Sequence, residues 1–186
     1  MTNLGGYKSL IVYWLATDIY DLTILFCNRY IDKKSRTTDQ MIQAARSGKQ
    51  NIVEGSLEPS VESNIKLTGV ARASYGELLE DYKDYLRQKN LPMWNKENPR
   101  VWKIRKMRIF PNESNKTNLS NSTNLTYRSY LTNATIFANL MVTLCFKEGY
   151  LIDQLLRSQQ EKFIKEGGFR ENLFKKRINY KKNEIR

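Results

Sequence analysis

Apolar side chains recur at alternating steps of three and four along most of this chain, a spacing that lines one face of an α-helix and does not fit a strand. In residues 7–32 the series is Val12, Leu15, Ile19, Leu22, Phe26 and Tyr30, with Asp18, Asp21 and Arg29 on the other side. After a polar break at 33–36, Thr37 and Gln40 stand at capping-box spacing, and Met41, Ala45, Gly48 and Ile52 continue the pattern towards Gly55, a natural helix stop. Ala44, Ala45 and Gly48 are small enough to let a neighbouring helix approach closely. A third helix is expected over 60–90, after Pro59, with Ile65, Thr68, Ala71, Tyr75, Leu78, Tyr82 and Tyr85 on its stripe. A fourth is expected over 133–166, with Phe137, Met141, Leu144, Leu151, Leu155 and Phe163 inward, Gly149 as a close-contact point and Gly167 and Gly168 as terminators.

There is no βαβ alternation, so the expected fold class is all-α: an antiparallel up-down four-helix bundle over residues 7–166. A long irregular loop, about residues 93–129, separates helices 3 and 4, and residues 167–186 form a short, basic, amphipathic helical extension with Leu173, Phe174 and Ile178 against its cations. The loop begins with Trp94 and a run rich in Arg and Lys and continues through Pro111 into NESNKTNLSNSTNLT, which reads as a flexible connector. Six Asn-x-Ser/Thr sequons begin at Asn112, Asn115, Asn118, Asn121, Asn124 and Asn133 and are taken as polar linker. Residues 1–8 lack the pattern of a signal peptide, and the longest apolar run, 136–146, is interrupted by Asn139 and reads as a core helix. A cytoplasmic protein that does not enter a membrane is the expectation.

With 186 residues the chain is long enough to bury a sizeable core. It contains no histidine, which excludes Ser-His and Cys-His nucleophiles and His-ligated metals. Cys27 and Cys145 lie in apolar runs without CxxC spacing and read as buried free thiols. No phosphate-binding loop of the GxxxxGK[ST] type is present. Glu77, Asp81 and Asp84, spaced four and three apart, are the one set able to hold Mg²⁺, but with Lys83 and Arg87 nearby they fit a solvated or salt-bridging face better. Asn51 and Glu54 are read as structural hydrogen-bonding groups. No enzymatic activity, catalytic residue, cofactor or metal is expected.

Lysine and arginine outnumber aspartate and glutamate by 31 to 19, a formal charge of +12 that points to a polyanionic partner, RNA or DNA. Three basic sets are candidates: Arg46 and Lys49 with Arg72 on adjacent helices; Arg100, Trp102, Lys103, Arg105, Lys106 and Arg108 in the insert; and Lys175, Lys176 and Arg177 in the tail. Tryptophan interleaved with arginine suits single strands, whose bases stack on aromatic faces, although Trp94 and Trp102 would serve equally to pin the insert onto the bundle. The alternatives are a module docking an acidic protein and a peripheral membrane binder using the tail.

Two segments carry a family resemblance. Ala44-Ala45-Arg46-Ser47-Gly48-Lys49-Gln50-Asn51-Ile52-Val53-Glu54-Gly55 resembles the second-helix signature, ending Asn-Ile-x-Glu-Gly, of the four-helix-bundle proteins first described from intervening sequences of bacterial 23S ribosomal RNA genes. Ala71-Arg72-Ala73-Ser74-Tyr75-Gly76-Glu77-Leu78 is similar to that family's third-helix pattern Ala-x-Gly-Ser-x-x-Glu-Leu, with Ala73 in place of Gly. The run Leu151-Ile152-Asp153-Gln154-Leu155-Leu156, followed by Glu166-Gly167-Gly168-Phe169-Arg170, looks like the longer, suffix-domain subtype. Relatives of that fold include the accessory variability determinant of diversity-generating retroelements. The resemblance implies a basic homopentamer that binds nucleic acid and a partner reverse transcriptase.

Overall fold

The computed structural model describes residues 6–109 and 127–184; the asparagine-rich stretch with five of the six sequons lies outside them. The helices are α1 (Ile11–Tyr30), α2 (Arg36–Leu57), α3 (Val61–Gln88), α4 (Pro99–Lys106), α5 (Ala134–Glu166) and α6 (Phe169–Glu184), with 3-10 turns at Gly6–Ser9 and Arg128–Tyr130, and the described residues contain no strand. Short polar side chains set the starts by accepting otherwise orphaned backbone N–H groups. Ser35 accepts from Thr37 N at 3.2 Å, Ser60 from Ser63 N at 3.3 Å, Asn98 from Arg100 N at 2.9 Å, and Asn133 from Ile136 N at 2.9 Å. The cap of α2 is therefore Ser35, two residues before the expected Thr37. At the far end of α5, Gly167 takes a φ of 76° and donates to Phe163 O at 2.9 Å, the stop expected there.

The expected stop at Gly55 does not occur, because α2 runs on to Leu57. A Cβ at Gly55 would lie 2.9 Å from Asn64 Oδ1 and 3.3 Å from Leu67 Cβ, so this glycine serves helix approach and not chain reversal. The same physics governs Gly48, where a Cβ would come within 2.6 Å of the Tyr75 ring. Helices α1, α2, α3 and α5 pack in a closed square in which α2 meets α1 and α3, and α5 meets α3 and α1. Leu15, Ile19, Phe26, Met41, Ile52, Tyr75, Leu78, Tyr82 and Phe137 are sealed in its centre. Phe26 contacts the rings of Tyr82, Tyr85 and Phe137 at centroid distances of 5.1, 4.9 and 5.3 Å, and the Tyr82 hydroxyl donates to Thr23 Oγ1 at 3.0 Å. An 18-residue window within Ala134–Asn183 is apolar enough to cross a membrane, but 67% of it is buried inside the protein, as in a core helix.

The insert is not irregular throughout. Val101 and Ile104, one turn apart, are buried and seat α4 against α5. Asn139, the residue that interrupts the apolar run of α5, accepts from Trp94 N at 2.6 Å and donates through Nδ2 to Pro92 O at 2.9 Å, clamping the chain that leads into α4. The returning chain is held by buried Tyr127 and Tyr130, the former donating to Asp18 Oδ2 at 3.1 Å. The tail is helical as expected but not amphipathic. At 100° per residue, Arg177 and Lys181 fall between Leu173 and Phe174, so cations interrupt the apolar arc. Every residue of α6 from Leu173 to Asn183 is exposed.

One buried group works against the fold. Glu148, on the inward face of α5, is fully buried, and neither of its carboxyl oxygens has a hydrogen-bond partner, nor has the buried Tyr75 hydroxyl. Burial, reinforced by the charge of Asp18 and opposed by Lys147, drives the Glu148 carboxyl well above its usual range. Because the folded chain favours the neutral acid while the unfolded chain ionises at ordinary carboxylate pH, stability from this group is complete at acid pH and declines as pH rises past that range. Glu148→Gln removes the ionisation but keeps the shape. It is expected to be more stable than the parent at pH 8 by about 1–3 kcal/mol, and equal to it near pH 4. Thermal melts of both chains across that interval check this, and parallel pH profiles would refute it.

Candidate nucleic-acid interface

Helix α4 divides its side chains cleanly. Val101 and Ile104 point inward, while Trp102, Lys103, Arg105 and Lys106 are exposed, and its eight residues include no carboxylate. Pinning is thus done by the aliphatic pair, leaving the Trp102 ring 54% exposed with the Lys106 ammonium 5.9 Å from its centroid. Trp94, partly buried against the core, is the tryptophan that anchors, and the exposed Arg100 guanidinium lies 5.4 Å from its centroid. Arg108 is exposed just beyond the helix. The candidate residues of the insert are therefore all exposed, spread across the outward side and both flanks of α4.

The set on adjacent helices does not come together. Lys49 lies 4.4 Å from the centroid of Tyr20 on α1, whereas Arg72 donates through Nε to Asp153 Oδ1 on α5 at 2.9 Å. The α1/α2 seam and the α3/α5 seam are opposite sides of the square, so Arg46, which is exposed on α2, shares no patch with both. The reason is that sequence spacing assigns a face to each helix but not the neighbour that face meets. Lys175, Lys176 and Arg177 are exposed along α6. Asn51 Nδ2 donates to Ser47 O at 2.9 Å, the structural role expected of it.

Glu77 and Asp81 of α3 occupy a different side. They line a hollow between α2 and α3, where burial first, and then Asp84 and Glu77, raise the Asp81 carboxyl above its usual range. Asp84 pairs with Arg87 at 3.0 Å, and no group of three or more metal-ligating side chains converges among the described residues. Both thiols are buried, and burial raises them, Cys27 to about 12. A thiol so raised stays protonated and is a poor nucleophile.

Next to α4 the structure shows a feature that sequence reading missed. Arg105, Phe146, Lys147, Tyr150 and Leu151 line a largely apolar hollow of about 520 Å³. Phe146 and Tyr150 are 48% and 63% exposed. The available signal was their position: both fall opposite the inward stripe of Met141, Leu144 and Glu148. Lys147 is half-buried and donates from Nζ to Met107 O at 2.7 Å, and desolvation holds its pKa below the usual lysine range. No protein-family model matches the chain, and no curated protein or solved structure matches it either.

Proposed function

We propose that this protein is a non-enzymatic, basic, oligomeric nucleic-acid-binding protein of the cytoplasm that scaffolds RNA or DNA through its phosphates. The observation that carries this reading is α4, a helix whose exposed residues, Pro99 apart, are all cationic or aromatic. Phosphate contacts from Lys103, Arg105, Lys106 and Arg108 would position a strand without reading its sequence. Exposed Arg100 lies at the start of the same helix, and the tail cations Lys175, Lys176 and Arg177 add a second, non-specific site of attraction. The acidic hollow on the α2/α3 side repels a polyanion and so favours the α4 side for docking.

The resemblance to the accessory variability determinant supplies a more specific version: a homopentamer that presents template RNA to a diversity-generating retroelement reverse transcriptase. Repetition of α4 around a ring would let several modest sites hold one long polyanion. Fluorescence anisotropy with labelled single-stranded RNA and DNA, alongside light scattering for mass, tests the reading. If three α4 cations meet phosphates, affinity is expected to fall roughly 20-fold between about 50 and 200 mM salt. Absent binding, or affinity indifferent to salt, would refute it.

A further inference from the structure

We infer that the hollow between α4 and α5 is a base-stacking site, in which Phe146 and Tyr150 receive unpaired bases of a nucleic-acid strand and Arg105 holds the adjoining phosphate. This inference rests on the nucleic-acid reading and adds to it a preference for single strands over duplex. Helix α5 buries most of its apolar surface: Phe137, Leu140, Met141 and Leu144 are sealed and Phe163 is partly buried, although Ile164 near its C-terminal end is exposed. Phe146 and Tyr150 are the exceptions within its central turns, and they stand four residues apart on one face, about 6 Å along the axis. The hollow they line falls within the size range of small-ligand sites.

The rim decides the occupant. Its polar members, Arg105 and Lys147, are both cationic; the Lys83 ammonium, 5.2 Å from the Phe146 centroid, is already paired with Glu80 at 2.7 Å. Lys147 is committed to the Met107 carbonyl, so it fixes the end of α4 over α5 and leaves Arg105 to meet a ligand. An apolar floor with an uncommitted guanidinium at its edge matches a flat, uncharged base joined to an anionic phosphate. In a duplex the base faces are already covered by their neighbours and cannot reach these rings.

The test compares a labelled strand of about twelve nucleotides with a hairpin-closed duplex of the same length, within the site sizes typical of stacking proteins. Binding is measured for the parent chain, for Phe146→Ala/Tyr150→Ala, and for Phe146→Tyr/Tyr150→Phe. The alanine variant is expected to lose roughly 30-fold in affinity for the single strand, with unchanged duplex affinity and salt slope, while the aromatic exchange binds like the parent. Circular dichroism should show equal helicity, since both side chains are exposed. An alanine variant that binds the single strand as well as the parent does, or loses both ligands equally with a fall in mass, would overturn the stacking site and point to contact between copies of the chain. A parent chain that binds neither ligand would refute the nucleic-acid reading itself, a separate result.

Discussion

Replacing Lys103, Arg105 and Lys106 together by glutamate is expected to reduce affinity for single-stranded RNA or DNA at low salt by at least about 100-fold, and to flatten the salt dependence by roughly two logarithmic slope units. The expectation follows from where these groups stand. All three are exposed on α4, whereas Val101 and Ile104 hold the helix in place. The substitutions therefore change charge by six units without touching a buried contact, and the melting temperature should move little. Exposed charges contribute little to stability even when paired. Loss of affinity with an unchanged salt slope would mean that the phosphates are held elsewhere. The control is Lys49→Gln, which removes a cation from the α1/α2 seam, where α4 does not pack, and is expected to leave binding near the parental value.

The largest loss of stability is expected at Gly48. A methyl group there would sit 2.6 Å from two carbons of the Tyr75 ring, and Tyr75 is fully buried. Alanine would gain about 1 kcal/mol of helix propensity, but overpacking of this kind costs about 1–3 kcal/mol or more, and here the contact is a rigid ring. Gly48→Ala is expected to lower the melting temperature by roughly 5 °C, and Gly48→Val by more. Gly76→Ala is the opposite case, since nothing lies within 4 Å of a Cβ there, so that variant should gain stability from propensity alone. Denaturant curves for the three variants separate the two roles. If Gly48→Ala matched Gly76→Ala, α2 and α3 would not approach as closely as described.

The bundle was legible because each of its four long helices carries an apolar stripe over several turns, enough repeats for the period to stand out. Helix ends were legible where a cap and a break coincide, as at Asn133 and Gly167. Gly55 misled because a glycine that permits close packing and one that ends a helix look alike until the partner helix is known. Helix α4 escaped notice because eight residues offer only two inward positions, Val101 and Ile104, too few to establish a period. Its Asn98-Pro99 start is nonetheless a helix-opening signature. The basic composition of the insert was plain, but its sharing of one surface with α5 was not. Phe146 and Tyr150 went unremarked, although their place opposite the inward stripe was legible, because the hollow they share with Arg105 is a tertiary feature.

The clamp on α4 has a kinetic meaning. Asn139 grips the chain before the helix and Lys147 grips the carbonyl just after it. These two grips are eight residues apart on α5, about 12 Å, and hold the insert at Trp94 and Met107, on either side of α4. A segment held at both ends cannot slide by a turn without releasing both. The cations it carries are thus in place before any ligand arrives, and no loop-ordering cost falls due at the encounter. Association should then be set by diffusion and electrostatic steering, while changes at the stacking surface should appear as faster release.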